Sequence, residues 1–139
     1  MDNSQPQPKP VLLVVDDNAS WLKLCRMSFE GAGWKVCGFI TPEAALAQLE
    51  NIAPDLIITD YRMPGMSGPD FLLAARVRTW GAAVLVVSTY DNEEAIVDSL
   101  RKKGLPLIGK SEGLPAIVSA AQKLIAVRRA TGIYSAAKM

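Results

Sequence analysis

The sequence predicts an α/β fold in which a single parallel sheet carries helices on both faces. Short apolar runs of strand length alternate five times with segments of helical periodicity, which is the pattern of a doubly wound sheet. The apolar runs are continuous rather than alternating, as expected for strands buried on both faces. The chain has 139 residues, half of them apolar, which fits one domain with a substantial core.

Five runs rich in valine, leucine and isoleucine are predicted to form the strands, because turn-forming residues bound each of them. The first run, VLLVV, is followed at once by two aspartates, and the third, DLIIT, by another aspartate. The predicted strands are Val11–Val15, Lys35–Ile40, Asp55–Thr59, Ala83–Val87 and Leu107–Ile108.

A helix is predicted after each strand. The first ends at Gly31 and Gly33, the second begins with Thr41 as its cap and Pro42 at its first helical position, and Asp91 caps the fourth. The last shows apolar residues at helical spacing from Leu114 to Ile125. The predicted helices run from 18 to about 32, from 42 onward, from about 69 to 79, from 91 to about 103 and from 114 onward.

The chain is predicted to hold one domain over residues 11–130, between a disordered leader at 1–10 and a tail or linker at 131–139. The leader is polar and proline-rich and lacks the apolar stretch of a secretory signal, so a cytoplasmic location is expected. No apolar run is long enough to span a bilayer. Fifteen basic and 14 acidic residues nearly cancel, which argues against direct nucleic-acid binding by this chain.

The two cysteines, Cys25 and Cys37, have no metal-binding spacing and no histidine accompanies them, so they are predicted to be buried reduced thiols. Trp21 and Trp34 flank the first helix and are predicted to pack in the core or at its edge. Trp80 follows a polar helix end and is expected to be more exposed.

Three aspartates fall where strands end. Asp16 and Asp17 follow the first strand and Asp60 follows the third. In a doubly wound sheet the carboxyl ends of strands form the edge at which ligands bind, so the three carboxylates are expected to converge. Their mutual repulsion would be relieved by a hard divalent cation, and Mg²⁺ prefers such oxygen ligands. The sequence therefore predicts a magnesium site.

Polar residues also end the fourth and fifth strands, at Ser88-Thr89 and at Lys110. A hydroxyl can donate to a phosphoryl oxygen and an ammonium can neutralise its charge. With a metal ion, these groups would stabilise a phosphoryl group in transfer, and Asp60 is the candidate nucleophile.

These residues resemble the receiver domain of bacterial two-component response regulators. The similarity spans about residues 11–127 and is carried by VLLVVDDN, PDLIITDYRMPGMSG, VLVVST and Lys110. It implies a flavodoxin-like (βα)5 three-layer sandwich with strand order 2-1-3-4-5. It also implies Mg²⁺-dependent phosphorylation of Asp60 by a partner histidine kinase or phosphotransfer protein, in a signalling module that catalyses only its own phosphorylation and dephosphorylation.

The resemblance assigns a role to each site residue. Asp60 is the phospho-acceptor and a metal ligand, Asp17 is the direct metal ligand, and Asp16 acts largely through water. Arg62 would give its backbone carbonyl to the metal. Ser88 matches the switch hydroxyl and Lys110 the phosphoryl-binding lysine. Tyr90 and Arg62 are expected to influence how fast water reaches the phosphoaspartate.

Two departures from the family pattern concern signal output. Leu107 and Ile108 stand where the family usually has an aromatic residue, and Ser111 follows the lysine in place of the usual proline. We hypothesise that Ser88 still moves toward the phosphoryl group. That movement would bias the face built from the fourth helix, fifth strand and fifth helix, which is expected to bind a downstream protein or a second copy of the chain.

Two alternative functions are a transcription regulator and a phosphatase. The segments from Lys110 to Ile117 and from Gly132 to Ser135 resemble the region that joins receiver to helix-turn-helix in LuxR-type transcription regulators, which would make this chain the receiver portion of such a protein. A phosphoaspartate-forming phosphatase of the haloacid dehalogenase type would need a second Asp two residues after the nucleophile. Asn18 stands at that position after Asp16.

Overall fold

The computed structural model describes residues 8–76, 81–89 and 93–131, and these form the predicted α/β sandwich. All strand pairs are parallel, and the sheet order is β2-β1-β3-β4-β5. The elements are β1 Val11–Val15, α1 Ala19–Gly31, β2 Lys35–Phe39, α2 Pro42–Ile52, β3 Leu56–Asp60, α3 Gly68–Arg76, β4 Ala83–Ser88, α4 Glu94–Lys102, β5 Leu107–Gly109 and α5 Leu114–Thr131. Both the fold class and the strand order are confirmed.

The continuous apolar strands divide their side chains between two cores, one on each face of the sheet. In β1, Leu13 and Val15 pack with α2, α3 and α4, while Leu12 and Val14 pack with α1 and α5. All four side chains are fully buried. We call these the first and the second core, respectively. Burial on both faces explains why the strand sequences do not alternate between apolar and polar residues.

Element boundaries differ from the prediction by a few residues. Strand β3 begins at Leu56 and includes Asp60, because Asp60 pairs with Val87 in the ladder. Asp55 precedes the strand, where its side chain accepts a hydrogen bond of 2.8 Å from the Val11 N–H. Strand β4 extends to Ser88 for the same reason, since Ser88 pairs with Gly109.

The last two helices differ from the prediction as well. The described part of α4 begins at Glu94, and the predicted cap, Asp91, lies outside the described residues, as do residues 77–80. Helix α5 continues to Thr131, one residue beyond the predicted domain boundary at 130. Its start follows a single 3-10 turn, Lys110–Glu112, that separates it from β5.

The thiols are both free, but only one of them is buried. Cys25 is fully buried in the second core, and burial raises the pKa of its thiol to about 12, with a smaller contribution from the Asp16 charge. The prediction was wrong for Cys37, which is only partly buried. It follows Val36, which faces the second core, so strand alternation directs Cys37 to the opposite face of the sheet.

Within the described ranges, none of the helices combines the length and the apolar character that crossing a membrane would require.

Candidate phosphoacceptor and metal site

Strand register brings the predicted site residues to one edge of the sheet. Val15 pairs with Thr59, so Asp16 and Asp60 are the next residues on neighbouring strands. Asp60 pairs with Val87, which places Ser88 one residue farther along β4. Ser88 pairs with Gly109, and Lys110 follows directly. Four polar side chains therefore leave four strands within two residues of the same level.

The three aspartates form a compact cluster. One carboxylate oxygen from each of Asp16, Asp17 and Asp60 lies within 4.8 Å of the other two. Asp16 is 1% exposed, the Asp60 side chain is 13% exposed and Asp17 is exposed. The cluster is thus closed toward the core and open toward solvent through Asp17. A hard cation could enter it and keep part of its water shell, as Mg²⁺ usually does.

The polar contacts of Asp16 test whether this cluster suits a cation. Its Oδ1 atom accepts a hydrogen bond of 2.8 Å from the Asn18 N–H. Its Oδ2 atom is buried, and no described donor is aligned to hydrogen-bond it. The ammonium of Lys110 lies 2.7 Å from Oδ2, so the contact is an ion pair of short distance without hydrogen-bond alignment. A buried carboxylate oxygen that makes no aligned hydrogen bond keeps lone pairs available, which fits a cation ligand.

Lys110 lies between two of the aspartates. Its Nζ atom is 2.7 Å from Asp16 Oδ2 and 3.6 Å from Asp60 Oδ2. The lysine side chain is only 13% exposed. A positive charge is therefore held beside Asp60 in a partly desolvated environment, where electrostatic interactions are stronger than in water.

Asp60 is electrostatically strained in this arrangement. Burial raises the pKa of its carboxyl from 3.8 to about 6, and the negative charges of Asp16 and Asp17 contribute to the rise. Lys110 and the backbone of Tyr61 act in the opposite direction. The Tyr61 N–H donates to Asp60 Oδ1 at 2.8 Å. Together the three carboxylates carry more negative charge than Lys110 offsets, which is the condition that a divalent cation would correct.

The backbone after Asp60 is packed tightly and fixes the position of this residue. The Gly68 N–H donates to the Tyr61 carbonyl at 2.7 Å, which folds the loop back to the start of α3. A Cβ atom at Gly68 would overlap the Asp60 carbonyl oxygen. That carbonyl also accepts a hydrogen bond of 2.9 Å from the Thr59 hydroxyl. Gly68 is therefore needed for close backbone approach.

The first turn of α1 adds a residue to the site that sequence reasoning assigned only to packing. The Asn18 side chain caps the helix by accepting a hydrogen bond of 3.0 Å from the Trp21 N–H. The Trp21 ring packs against the second core, as predicted, and also lies under the ammonium of Lys110, 4.7 Å from Nζ to the ring centroid. Its sequence signal is a position one helical turn after Asp17, on the ligand-binding edge of the sheet.

The remaining predicted residues occupy the periphery. Ser88 is fully buried at the end of β4, and Thr89 beside it is exposed. The Arg62 side chain pairs with Glu93, with 3.5 Å between Nη2 and Oε2. The roles of Ser88 and of the Arg62 carbonyl stay predictions. Tyr90 lies outside the described residues.

Comparison with known proteins agrees with the fold described above. The family model for the response regulator receiver domain matches residues 12–122. The chain therefore belongs to the response regulator receiver domain family, which is a family of signalling domains.

Named relatives carry this domain in larger proteins of different kinds. The probable transcriptional regulatory protein TcrX of Mycobacterium tuberculosis is 29% identical over 133 residues, which cover 96% of this chain and 55% of that protein. The virulence sensor protein BvgS of Bordetella pertussis is 42% identical over 80 residues, covering 58% of this chain and 6% of BvgS. The chain thus spans about half or less of these relatives, and they do not favour the LuxR-type interpretation.

Among solved structures, the CheY-like receiver domain protein from Methanospirillum hungatei superposes with a TM-score of 0.80 at 25% identity. The match covers 90% of this chain and 100% of that one. The whole described fold is therefore shared with a receiver domain.

Proposed function

We propose that this chain is a phosphoacceptor. Asp60 would receive a phosphoryl group from a histidine of a sensor kinase or phosphotransfer protein. Mg²⁺ would be held by Asp16, Asp17, Asp60 and the Arg62 carbonyl. The observation that carries the proposal is the cluster of three carboxylates within 4.8 Å, with the Lys110 ammonium 3.6 Å from Asp60. Family membership supports it.

In the proposed reaction a carboxylate oxygen of Asp60 attacks phosphorus. The bond from phosphorus to the donor nitrogen breaks, and its electron pair returns to the imidazole. Lys110 offsets the charge on the phosphoryl oxygens, and Ser88 donates a hydrogen bond to one of them. A bound Mg²⁺ would supply further charge neutralisation. The same groups would later assist hydrolysis of the phosphoaspartate, so the chain would act catalytically only on itself.

The output is proposed to be a protein–protein contact. Ser88 lies in β4, directly beside Gly109 of β5, so a movement of Ser88 toward the phosphoryl group would alter its contact with β5. Leu107 and Ile108 are partly buried in the first and second cores. The α4–β5–α5 face is therefore the proposed surface for a downstream partner or a second copy. Cytoplasmic location stays a prediction.

The test is phosphorylation by a small-molecule donor. The protein is incubated with Mg²⁺ and acetyl phosphate, and its intact mass is measured. Addition of one base-labile phosphoryl group is expected for the wild type and for Asp70→Ala, a control at an exposed aspartate on α3. No addition is expected for Asp60→Ala or after chelation of Mg²⁺.

If Asp60→Ala is still phosphorylated, the phosphoryl acceptor is a residue other than Asp60. Absence of phosphorylation in the wild type, together with no beryllofluoride binding, would contradict the proposal. For the output, chemical shifts on the α4–β5–α5 face should change when beryllofluoride binds, and unchanged shifts would rule out that surface.

A further inference from the structure

Lys110 makes a third contact that the proposed chemistry does not use. Its ammonium contacts two carboxylates and an aromatic ring. The distance from Nζ to the Trp21 centroid, 4.7 Å, lies within the range of cation–π attraction. The two carboxylate distances are 2.7 Å to Asp16 and 3.6 Å to Asp60.

The ring contact differs from the carboxylate contacts in what happens when a cation binds. Asp16 and Asp60 belong to the carboxylate cluster, so a cation bound there would take over their charge and weaken their hold on Lys110. The Trp21 ring takes no part in that cluster. Among the described contacts of the Lys110 ammonium, the contact with the Trp21 ring is the one that a bound cation would leave intact.

A lysine needs such support more than an arginine would. Its ammonium is a compact charge on a flexible four-carbon stem, and ordering that stem costs conformational entropy. Lys110 stands at the end of a strand of three residues, at the first position of a 3-10 turn. Its local backbone therefore does little to fix where the ammonium points.

Trp21, by contrast, is held from two directions. Its backbone N–H donates to the side chain of Asn18, and the backbone N–H of Asn18 donates to Asp16 Oδ1. The ring rests against the second core. The turn that places Asp16 thus also places the backbone from which the Trp21 ring extends.

From these contacts we infer that Trp21 is a positioning residue for Lys110. Its indole face holds the ammonium within reach of Asp60, ready for the oxygens of a phosphoryl group or its analogue. This inference rests on the proposed phosphoacceptor function. It adds a residue on α1 to a site otherwise built from strand ends.

The experiment measures beryllofluoride affinity in the presence of saturating Mg²⁺, by ¹⁹F NMR or calorimetry. Trp21→Leu is expected to weaken binding about fivefold, within the range given by cation–π energies. Trp21→Phe and Trp21→Tyr should retain most of the affinity, because both keep a ring. Leu24→Ala, at an exposed residue on the same helix, should bind as the wild type does.

A double-mutant cycle separates positioning from general damage to the fold. In a Lys110→Met background, Trp21→Leu should cause no further loss of affinity, because there is no ammonium left to hold. Replacement of tryptophan by fluorinated analogues adds a spectroscopic and graded test. Affinity should fall stepwise with the number of fluorines, since fluorine withdraws charge from the ring face while the shape hardly changes. In NMR spectra, the Lys110 side-chain protons should lose their ring-current shift in Trp21→Leu.

The outcomes are distinguishable. If the wild type binds beryllofluoride and Trp21→Leu binds it equally well, the positioning role is overturned and the phosphoacceptor function stands. The same conclusion follows if Trp21→Leu weakens the affinity by the same factor in the wild-type and the Lys110→Met backgrounds. If the wild type binds none, both proposals are overturned. Fivefold weakening that Phe restores and that Lys110→Met abolishes supports the role of Trp21.

Discussion

The two ends of the sheet bury charge in different ways. At the amino end, Asp55 is fully engaged with neighbouring backbone. Its side chain accepts a hydrogen bond from the Val11 N–H, and its own N–H donates to the Val11 carbonyl. Its carbonyl accepts from the Ala83 N–H and from the buried Arg128 guanidinium. At the carboxyl end, Asp16 and Asp60 face each other with Lys110 between them, and Asp16 Oδ2 lacks an aligned donor among the described residues.

This difference separates a structural charge cluster from a functional one. Asp55 and Arg128 link β1, β3, β4 and α5, and their polar contacts serve the fold itself. The carboxyl end instead buries Asp60 beside two further carboxylates, and the burial first and the neighbouring charges second raise the pKa of Asp60. Stability and ligand binding are thus concentrated at opposite edges of the same five strands.

The largest effect on stability is expected from Gly68→Ala, which breaks the close packing that holds Asp60 at the carboxyl end. The added Cβ would overlap a backbone carbonyl that cannot move without displacing β3. The free energy of unfolding, measured by urea denaturation, should fall by about 3 kcal/mol.

Gly31→Ala is the matched control, because a Cβ there would meet nothing within 4 Å and the residue lies in a helix. It should leave stability unchanged or raise it by up to about 1 kcal/mol. A similar loss in both variants would show that glycine content, rather than the packing at Asp60, is responsible.

The amino end is tested by Asp55→Ala. Removing the carboxylate leaves the Val11 N–H, at the start of β1, without its partner and should lower the free energy of unfolding by about 2 kcal/mol. Asp55→Asn keeps an acceptor oxygen and should lose less than half of that. Beryllofluoride affinity should be unchanged in both, and a clear loss of affinity would contradict the separation of the two ends.

At the carboxyl end, removing a charge should raise the free energy of unfolding, whereas at the amino end it should lower it. Asp60→Asn relieves the repulsion among the aspartates, so the metal-free variant should be more stable than wild type at pH 7. A shift in pKa from 3.8 to about 6 corresponds to about 3 kcal/mol, which solvent screening at this incompletely buried site reduces to about 1–2 kcal/mol.

The pH dependence of this difference follows from the direction of the pKa shift. Because the Asp60 pKa is higher in the folded state, folding takes up a proton, and the contribution of that proton is lost as pH rises from about 4 through about 6. The stability difference between Asp60→Asn and wild type should therefore grow over this interval and stay constant above it. Added Mg²⁺ should reverse the order by stabilising the wild type more. A difference independent of pH would contradict the raised pKa.

The sequence was sufficient to predict the sheet, its strand boundaries to within about a residue, and the edge where the carboxylates meet. This worked because continuous apolar runs report burial on both faces, and because aspartates directly after β1 and β3 must share an edge when those strands are neighbours. The strand order itself came from the family resemblance and not from the apolar pattern.

The contacts that depend on side-chain direction could not be predicted. Trp21 was assigned to packing, and its contact with Lys110 joins residues on different elements, which no local pattern reports. Arg128 lies in the last turn of α5, where sequence alone indicates only that a positive charge complements the helix dipole, yet it is buried and donates to the Asp55 carbonyl. Sequence periodicity gives the face of a helix but not how far a long side chain reaches beneath it.

The smallest effect is expected from an ion pair that lies close to the carboxyl end but in solvent. The Arg62 and Glu93 side chains are 57% and 47% exposed, and 3.5 Å separates their charged atoms. Arg62→Gln should change the free energy of unfolding by about 0.5 kcal/mol or less, because water and salt screen exposed pairs. Glu93→Gln should behave alike, and the double variant should show no larger effect. A loss as large as that of Asp55→Ala would mean that position at the edge of the sheet, and not burial, decides what a charge contributes.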